Sequence, residues 1–177
     1  MINKKILNNG TDIFLKKITL KNCTKEYVMW LNDPTINNFL ESRWQKVNLK
    51  KLKKFVIDIN QSKNEFMTGI FLKKTNVHIG NIKLGKIDSI HKTAELGLLI
   101  GKKQFFNKGY ASEAIKLITN FAFKKMGLKY IYANVYIDNV ASQKVFLKNN
   151  FKKSGIFKKK AIFKKKRTDI IYFEKLI

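Results

Sequence analysis

Apolar positions along the chain recur with two periods. In Asn48–Asn60, Leu49, Leu52, Val56 and Ile59 stand three and four residues apart, which predicts an amphipathic helix. In Gly109–Met126, Ala111, Ile115, Ile118 and Ala122 form one stripe, and Ala114, Leu117 and Phe121 form a second beside it. So wide an apolar surface predicts a helix packed on a sheet, with Gly127 placed as its C-terminal stop. Shorter helices are expected over Thr24–Leu31, from Asp33-Pro34 (an N-cap followed by proline at the first helical position), and over Asn139–Lys148.

Segments of two-residue period lie between these helices. Asp12–Ile18, Phe66–Lys73, His78–Lys86, Thr93–Gly101, Tyr130–Tyr136, Phe151–Phe157 and Thr168–Glu174 read as strands, the second to fourth as an antiparallel meander and the last two as a hairpin. In Thr93–Ile100 the alternation puts Ala94, Leu96, Leu98 and Ile100 on one face and Thr93, Glu95, Gly97 and Leu99 on the other. In His78–Lys86 the same parity groups Ile79 with Asn81 and Lys83, and Gly80 with Ile82 and Leu84. The order of elements gives a mixed α/β (α+β) class with about seven strands. Without repeats or a Pro/Gly/Ser-rich linker, residues 1–177 read as one domain.

Composition narrows the picture. Hydrophobic residues make up 45% of the chain, enough for a core without staples. A single cysteine, Cys23, excludes an internal disulfide and a cysteine zinc cluster; it reads as a small buried residue. The two histidines, His78 and His91, show no metal spacing, so no metal is expected. No apolar run approaches the roughly 20 residues of a membrane span, and Met1-Ile2-Asn3-Lys4-Lys5 opens no apolar signal core. The expectation is a cytoplasmic protein, monomeric or homodimeric. The net charge of +25 raises the possibility of a nucleic-acid partner. Yet Arg43 and Arg167 are the only arginines, and base readout favours arginine forks. Lysine with asparagine, isoleucine and phenylalanine, and one proline, is the signature of AT-rich coding. The run Lys158, Lys159, Lys160, Lys164, Lys165, Lys166 and Arg167 reads as an exposed, charge-repelled loop, with a patch for an anionic substrate or membrane surface as the alternative.

The first chemical signal lies at Lys102–Ala114, where a strand runs into a glycine-bearing turn that opens a helix. Backbone N–H groups there converge on one point, and the helix dipole favours negative charge. Gly109 permits a conformation and a close approach that a side chain would block, and Lys108 adds positive charge.

The stretch Glu95-Leu96-Gly97-Leu98-Leu99-Ile100-Gly101, with Phe106-Asn107-Lys108-Gly109-Tyr110-Ala111-Ser112-Glu113-Ala114, resembles the acetyl-CoA motif of GNAT acyltransferases. Asn139-Val140-Ala141-Ser142 and Phe146-Leu147-Lys148-Asn149-Asn150-Phe151 resemble that family's second signature. The likeness spans essentially the whole chain. It is greatest to the subgroup with ribosomal-protein N-terminal acetyltransferases and amino-sugar acetyltransferases of surface-polysaccharide biosynthesis. It implies a central, mostly antiparallel sheet with helices on both faces, splayed at the coenzyme site. It also implies acetyl-CoA as co-substrate, with its pyrophosphate on the backbone of Asn107, Lys108, Gly109, Tyr110, Ala111 and Ser112. The pantetheine arm would pair with Leu98, Leu99 and Ile100, and Asn139 and Ser142 would touch the coenzyme. The substrate amine would attack the thioester directly. Three positions depart from the pattern, two of them in ways that matter for the chemistry. Phe106 stands where Gln or Arg is common. Phe146 replaces a tyrosine that protonates the leaving thiolate. Asn150 also replaces a common glycine, although asparagine tolerates left-handed backbone.

The attacking amine must be neutral, so a base or a water relay is needed. Glu95, on a central strand just before the pantetheine stretch, is the first candidate, and His78 the second. Glu41, Arg43, Asn81 and Lys83 are the candidate acceptor contacts: Glu41 for an ammonium, Arg43 for phosphate or carboxylate. The resulting expectation is acetyl transfer to a small-molecule amine, that of a nucleotide-linked amino sugar. Acetylation of a protein N-terminus and a non-catalytic acyl-CoA-binding module are the alternatives.

Overall fold

The computed structural model describes residues 10–177. The expectation drawn from Met1–Lys5 lies outside them. Seven strands form one sheet in the order β1-β2-β3-β4-β5-β7-β6. They are β1 (Ile13–Lys17), β2 (Phe66–Leu72), β3 (His78–Asp88), β4 (Thr93–Ile100), β5 (Tyr130–Tyr136), β6 (Lys152–Phe163) and β7 (Lys166–Leu176). Every neighbouring pair is antiparallel except β4 and β5. Five helices accompany them: α1 (Lys25–Asn32), α2 (Pro34–Asn37), α3 (Leu49–Gln61), α4 (Tyr110–Lys125) and α5 (Val140–Lys148). Among the described residues no helix is long and apolar enough to cross a membrane.

Local chemistry explains the helix ends. Thr24 caps α1 by accepting from the Tyr27 N–H, Asp33 caps α2 from the Thr35 N–H with Pro34 next, and Asn48 caps α3 from the Lys51 N–H. At the end of α4, Gly127 takes φ +70° while the Leu128 N–H reaches back to the Ala122 carbonyl, a glycine stop of the expected kind. Glu113 in the first turn of α4 and Lys124 and Lys125 in its last complement the dipole.

The sheet separates two cores. On one face Ala114, Ile115, Ile118 and Ala122 of α4 pack with Phe146 of α5 against Ile82, Leu84, Ala94, Leu96 and Ile131. On the other, Tyr27 and Trp30 of α1 and Leu52, Val56 and Ile59 of α3 cover Ile18, Met67 and Phe71. Cys23 is buried in this second core as a free thiol, and burial pushes its pKa up.

Two expectations are corrected. The register slips between Ile70 and Phe71, so that Phe71 pairs with His78 and Ile70 with Gly80. The extra residue is a β-bulge, and it breaks the parity of β3. Ile79 therefore joins Ile82 and Leu84 in the α4 core rather than sharing a face with Asn81. The lysine run is also no loop. β6 and β7 extend through it as a long hairpin closed by Lys164 and Lys165 alone, with φ +47° and +63°. Two left-handed residues in a two-residue connection make the turn that matches strand twist. On β6, an edge strand, exposed lysines also discourage pairing with other chains.

Candidate active site

The parallel pairing of β4 and β5 covers only Thr93, Ala94 and Glu95 against Tyr130, Ile131 and Tyr132. Beyond this point β4 stays with β3 as far as Ile100, and β5 stays with β7 as far as Tyr136. The two strands thus diverge into a fork whose inner backbone groups have no strand partner. Unmet backbone groups on a strand are a template for an extended ligand. Leu98, Leu99 and Ile100 lie on the β4 side of this opening.

Above the fork, Gly109 caps α4 at φ +84° with no side-chain capping bond, and Asn107 is also left-handed at φ +59°. The first N–H groups of a helix have no intrahelical acceptor, so those of Tyr110, Ala111 and Ser112 point outward unmet. A Cβ built on Gly109 would meet nothing within 4 Å, so the space over the turn is open and the backbone angle is what demands glycine. Lys108 is exposed beside it. The arrangement suits a pyrophosphate, and the fork suits a pantetheine arm.

The neighbouring residues of the second motif have definite partners. The Asn139 side chain caps α5 by accepting from the Ser142 N–H at 3.1 Å. Asn149 donates to the Ser112 hydroxyl at 2.9 Å, tying the end of α5 to the first turn of α4. Asn150 is left-handed at φ +61°. Phe146 is buried, stacked on Phe173 and edge-on to Phe151, so its ring is core packing.

On the face of the sheet opposite α4, the fork opens onto a cleft. Gly97 forms its floor: the residue is exposed, and a Cβ there would also meet nothing within 4 Å. At the closed end of the fork, Glu95 accepts from the Asn134 amide at 2.8 Å and from Lys86 Nζ at 2.7 Å. Burial would raise the Glu95 pKa, but these donors outweigh it and hold the carboxyl below its ordinary range. Its strand partner Tyr132 stacks on Tyr172, ring centroids 5.3 Å apart. Lys83, directly opposite Gly97 on β3, is paired with Glu65 at 2.7 Å.

The open end holds the other predicted pair. The Tyr136 hydroxyl donates to Glu41 at 2.5 Å and accepts from Arg43 at 2.9 Å. Arg43 also donates to the carbonyls of Leu40 and Ile162, and its guanidinium lies over the Trp44 ring. Its side chain is only 11% exposed, so it acts as a strut between residues 40–44 and the β6–β7 hairpin. Phe39 stacks on Phe163 at 4.8 Å and reinforces the same junction. The lysine-rich hairpin is thereby pinned beside the cleft. Sequence reasoning missed this use of Arg43, and also missed Tyr136, Tyr132 and Asn134; only the polar and aromatic alternation of Tyr130–Tyr136 could have flagged them.

His78 is walled in by aromatic rings: Tyr27 edge-on, Trp30 tilted and Phe71 stacked, with centroids 5.5, 5.1 and 4.9 Å away. Burial pushes its pKa down, against smaller opposing contributions from Asn81 and the Gly80 backbone. Its Nε2 lies 3.0 Å from Asn81 Oδ1. Asn81 is 6% exposed, and its Nδ2 has no protein partner. A buried amide left without a partner costs about 1–3 kcal/mol.

Comparison with known proteins bears on this geometry. The acetyltransferase (GNAT) domain family matches residues 13–152. The uncharacterized N-acetyltransferase YoaA of Bacillus subtilis (strain 168) is 29% identical over 148 residues, 81% of either chain. Spermidine N-acetyltransferase from Vibrio cholerae, solved with CoA and spermine, is similar in fold at TM-score 0.85 and 17% identity, over 93% of this chain and 95% of its own. The microcin C7 self immunity acetyltransferase MccE, solved with acetyl-CoA and AMP, gives TM-score 0.81 and 23% identity over 97% and 94%.

Proposed function

The chain belongs to the GNAT acetyltransferase family and is an acetyl-CoA-dependent N-acetyltransferase; within that activity, we propose that it acetylates the primary amine of a nucleotide-linked amino sugar. The observation behind this reading is the composition of the cleft beside the fork. One end offers a carboxylate next to a stacked tyrosine pair, Glu95 with Tyr132 and Tyr172. The other end is bordered by the lysine-rich hairpin that Arg43 holds in place. Aromatic faces suit a sugar or base ring, and lysines suit phosphates. A polyamine would be repelled by this rim, and the chain's net charge of +25 adds to that repulsion. The MccE relative was solved with a nucleotide, AMP, alongside its coenzyme.

In this reading the backbone of Asn107–Ser112 holds the pyrophosphate and the β4 edge at Leu98–Ile100 holds the pantetheine arm, with Asn139 and Ser142 nearby. The coenzyme supplies the acetyl thioester. The acceptor ammonium sits over Gly97. Glu95, ionised at neutral pH, takes its proton directly or through one water, and the neutral amine attacks the thioester carbon. The thiolate leaves as the C–S bond breaks, and the extra proton that the attacking nitrogen then carries passes to water, leaving the neutral amide. No proton comes from position 146, and a thiol pKa of roughly 8.5 lets the thiolate depart unprotonated. Glu41 and Lys83 line the two sides of the acceptor's path.

The test is free-thiol release from acetyl-CoA with a panel of amino-sugar nucleotides, basic peptides and spermidine. The amino-sugar nucleotides should exceed the others in kcat/KM by at least about tenfold, a difference of about 1.4 kcal/mol in transition-state binding. Turnover confined to peptides would overturn the acceptor assignment in favour of protein N-terminal acetylation.

A further inference from the structure

Glu95 already carries a primary ammonium. Lys86 Nζ lies on its Oε2 at 2.7 Å, while Asn134 holds Oε1. A second bulge in β3 puts the lysine there. Gly85 pairs with Glu95 and Asp88 with Thr93, so Lys86 and Ile87 stand against Ala94 alone. An uninterrupted strand would turn Lys86 with Leu84 into the α4 core. Instead Lys86 is left-handed at φ +49°, and its side chain reaches the face that Glu95 shares with Gly97. The other lysine on this stretch, Lys83, is held by Glu65. Lys86 therefore presents to the candidate base the group that an acceptor has to present. Its distance falls within the roughly 2.6–3.2 Å at which a base takes a proton. Gly97, over which the acceptor amine is placed, is two residues along β4, about 7 Å away. The Lys86 side chain is 71% exposed, and its four-carbon stem is flexible, so the nitrogen is free to swing toward that point.

We propose that Lys86 is itself an acceptor, and that the protein acetylates this lysine when acetyl-CoA is bound and no other amine fills the cleft. Glu95 takes one proton from the Lys86 ammonium, and the neutral Nζ attacks the thioester carbon. A C–N bond forms, the C–S bond breaks and the coenzyme departs as its thiolate. The second proton on the nitrogen passes to water, leaving a neutral amide on Lys86. Holding amine and base in one molecule gives the step the advantage of an intramolecular reaction. The inference rests on Glu95 as the base and on the fork as the pantetheine site, but not on the nucleotide-linked sugar.

Two other lysines serve as internal controls. Lys54 pairs with Asp58 at 2.7 Å and Lys158 with Asp169 at 3.0 Å, with side chains 76% and 74% exposed. They match Lys86 in exposure and in having a carboxylate partner, but neither carboxylate stands at the fork. The protein is incubated with acetyl-CoA alone, and the gain of an acetyl group at each lysine is followed by peptide mass spectrometry. Lys86 should be acetylated at least about tenfold faster than Lys54 and Lys158, at a rate per molecule that does not change with protein concentration. Glu95→Gln separates catalysis from simple chemical modification. Its hydrogen bond to Glu95 holds the Lys86 pKa up, so losing the carboxylate would speed an uncatalysed reaction at Lys86. Catalysed transfer predicts the reverse, a fall of at least about tenfold at Lys86 with the controls unchanged. Lys86 modified no faster than the controls, or not slowed in Glu95→Gln, would overturn the inference. Turnover of amino-sugar nucleotides by a protein whose Lys86 stays unmodified would reject this inference alone, and acetylated Lys86 without such turnover would reject only the nucleotide-sugar reading.

Discussion

Asn134 on β5 donates to Glu95 on β4 at 2.8 Å, immediately past the last residues at which those two strands pair. The bond spans the apex of the fork and fixes the carboxylate at the floor of the cleft, with Lys86 on its other oxygen. Those donors keep Glu95 ionised throughout the neutral range. A rise of kcat/KM between about pH 6 and 9 should therefore follow the acceptor ammonium, whose deprotonation lies in or above this range, and not Glu95. Glu95→Gln should lower kcat about 100-fold near pH 7 and less at high pH, where the amine loses its proton unaided. A rate profile that matches the wild type at every pH would remove Glu95 from the chemistry.

Gly109 should respond to substitution in two separable ways. Ala at this position must adopt φ +84°, at a cost of about 1–2 kcal/mol of stability, with space to spare for its methyl group. Trp pays the same backbone cost and also fills the open volume over the helix terminus. Calorimetric titration with acetyl-CoA should show Gly109→Trp weakened by at least about tenfold beyond Gly109→Ala. Equal affinities in the two variants would argue against a pyrophosphate over this turn.

His78 carries a signature in the pH dependence of folding. Its folded pKa lies below the unfolded value of about 6.5, so its contribution is fully present above that pH. As pH falls below about 6.5, the unfolded chain takes up a proton that the aromatic box resists, and stability is lost at up to about 1.4 kcal/mol per pH unit. Urea midpoints should fall between about pH 7 and 5 in the wild type and fall less in His78→Phe. Parallel curves for the two proteins would mean that His78 is protonated freely in the fold.

The hairpin tip offers a stabilising change. Lys164 and Lys165 both occupy left-handed backbone, which Asn-Gly adopts with far less strain. Lys164→Asn with Lys165→Gly should add about 1 kcal/mol and raise the melting temperature by about 2–4 °C. An unchanged or lower Tm would show that the lysines relieve the strain in some other way.

The sequence announced what local chemistry controls. Asp33 appears as a cap because a side-chain oxygen two residues from an unmet N–H needs no distant partner. The stripes of α4 and the two faces of β4 were equally legible, since burial on each follows a single period. The face of β3 was not, because a bulge is a pairing event: it depends on how Phe71 and His78 meet across two strands. Nor was the role of Arg43. Its partners Tyr136 and Ile162 lie 93 and 119 residues away, and nothing near Arg43 in the chain announces them. The lysine run misled because charge suggests a loop, whereas strand pairing with Ile170, Ile171 and Tyr172 continues toward it with apolar partners on the other side.

The fork has a consequence for the lifetime of the protein as well as for its chemistry. Where β4 and β5 part, the sheet acquires two internal edges, each as open to a stray extended segment as an outer strand would be. In the proposed binding mode a coenzyme arm there would act as a borrowed strand. At a concentration about 100 times its Kd it would add about 2.7 kcal/mol to the folded state by mass action. The supply of acetyl-CoA would then set how long the seam stays closed, and a fall in that supply should show as faster proteolysis of the protein.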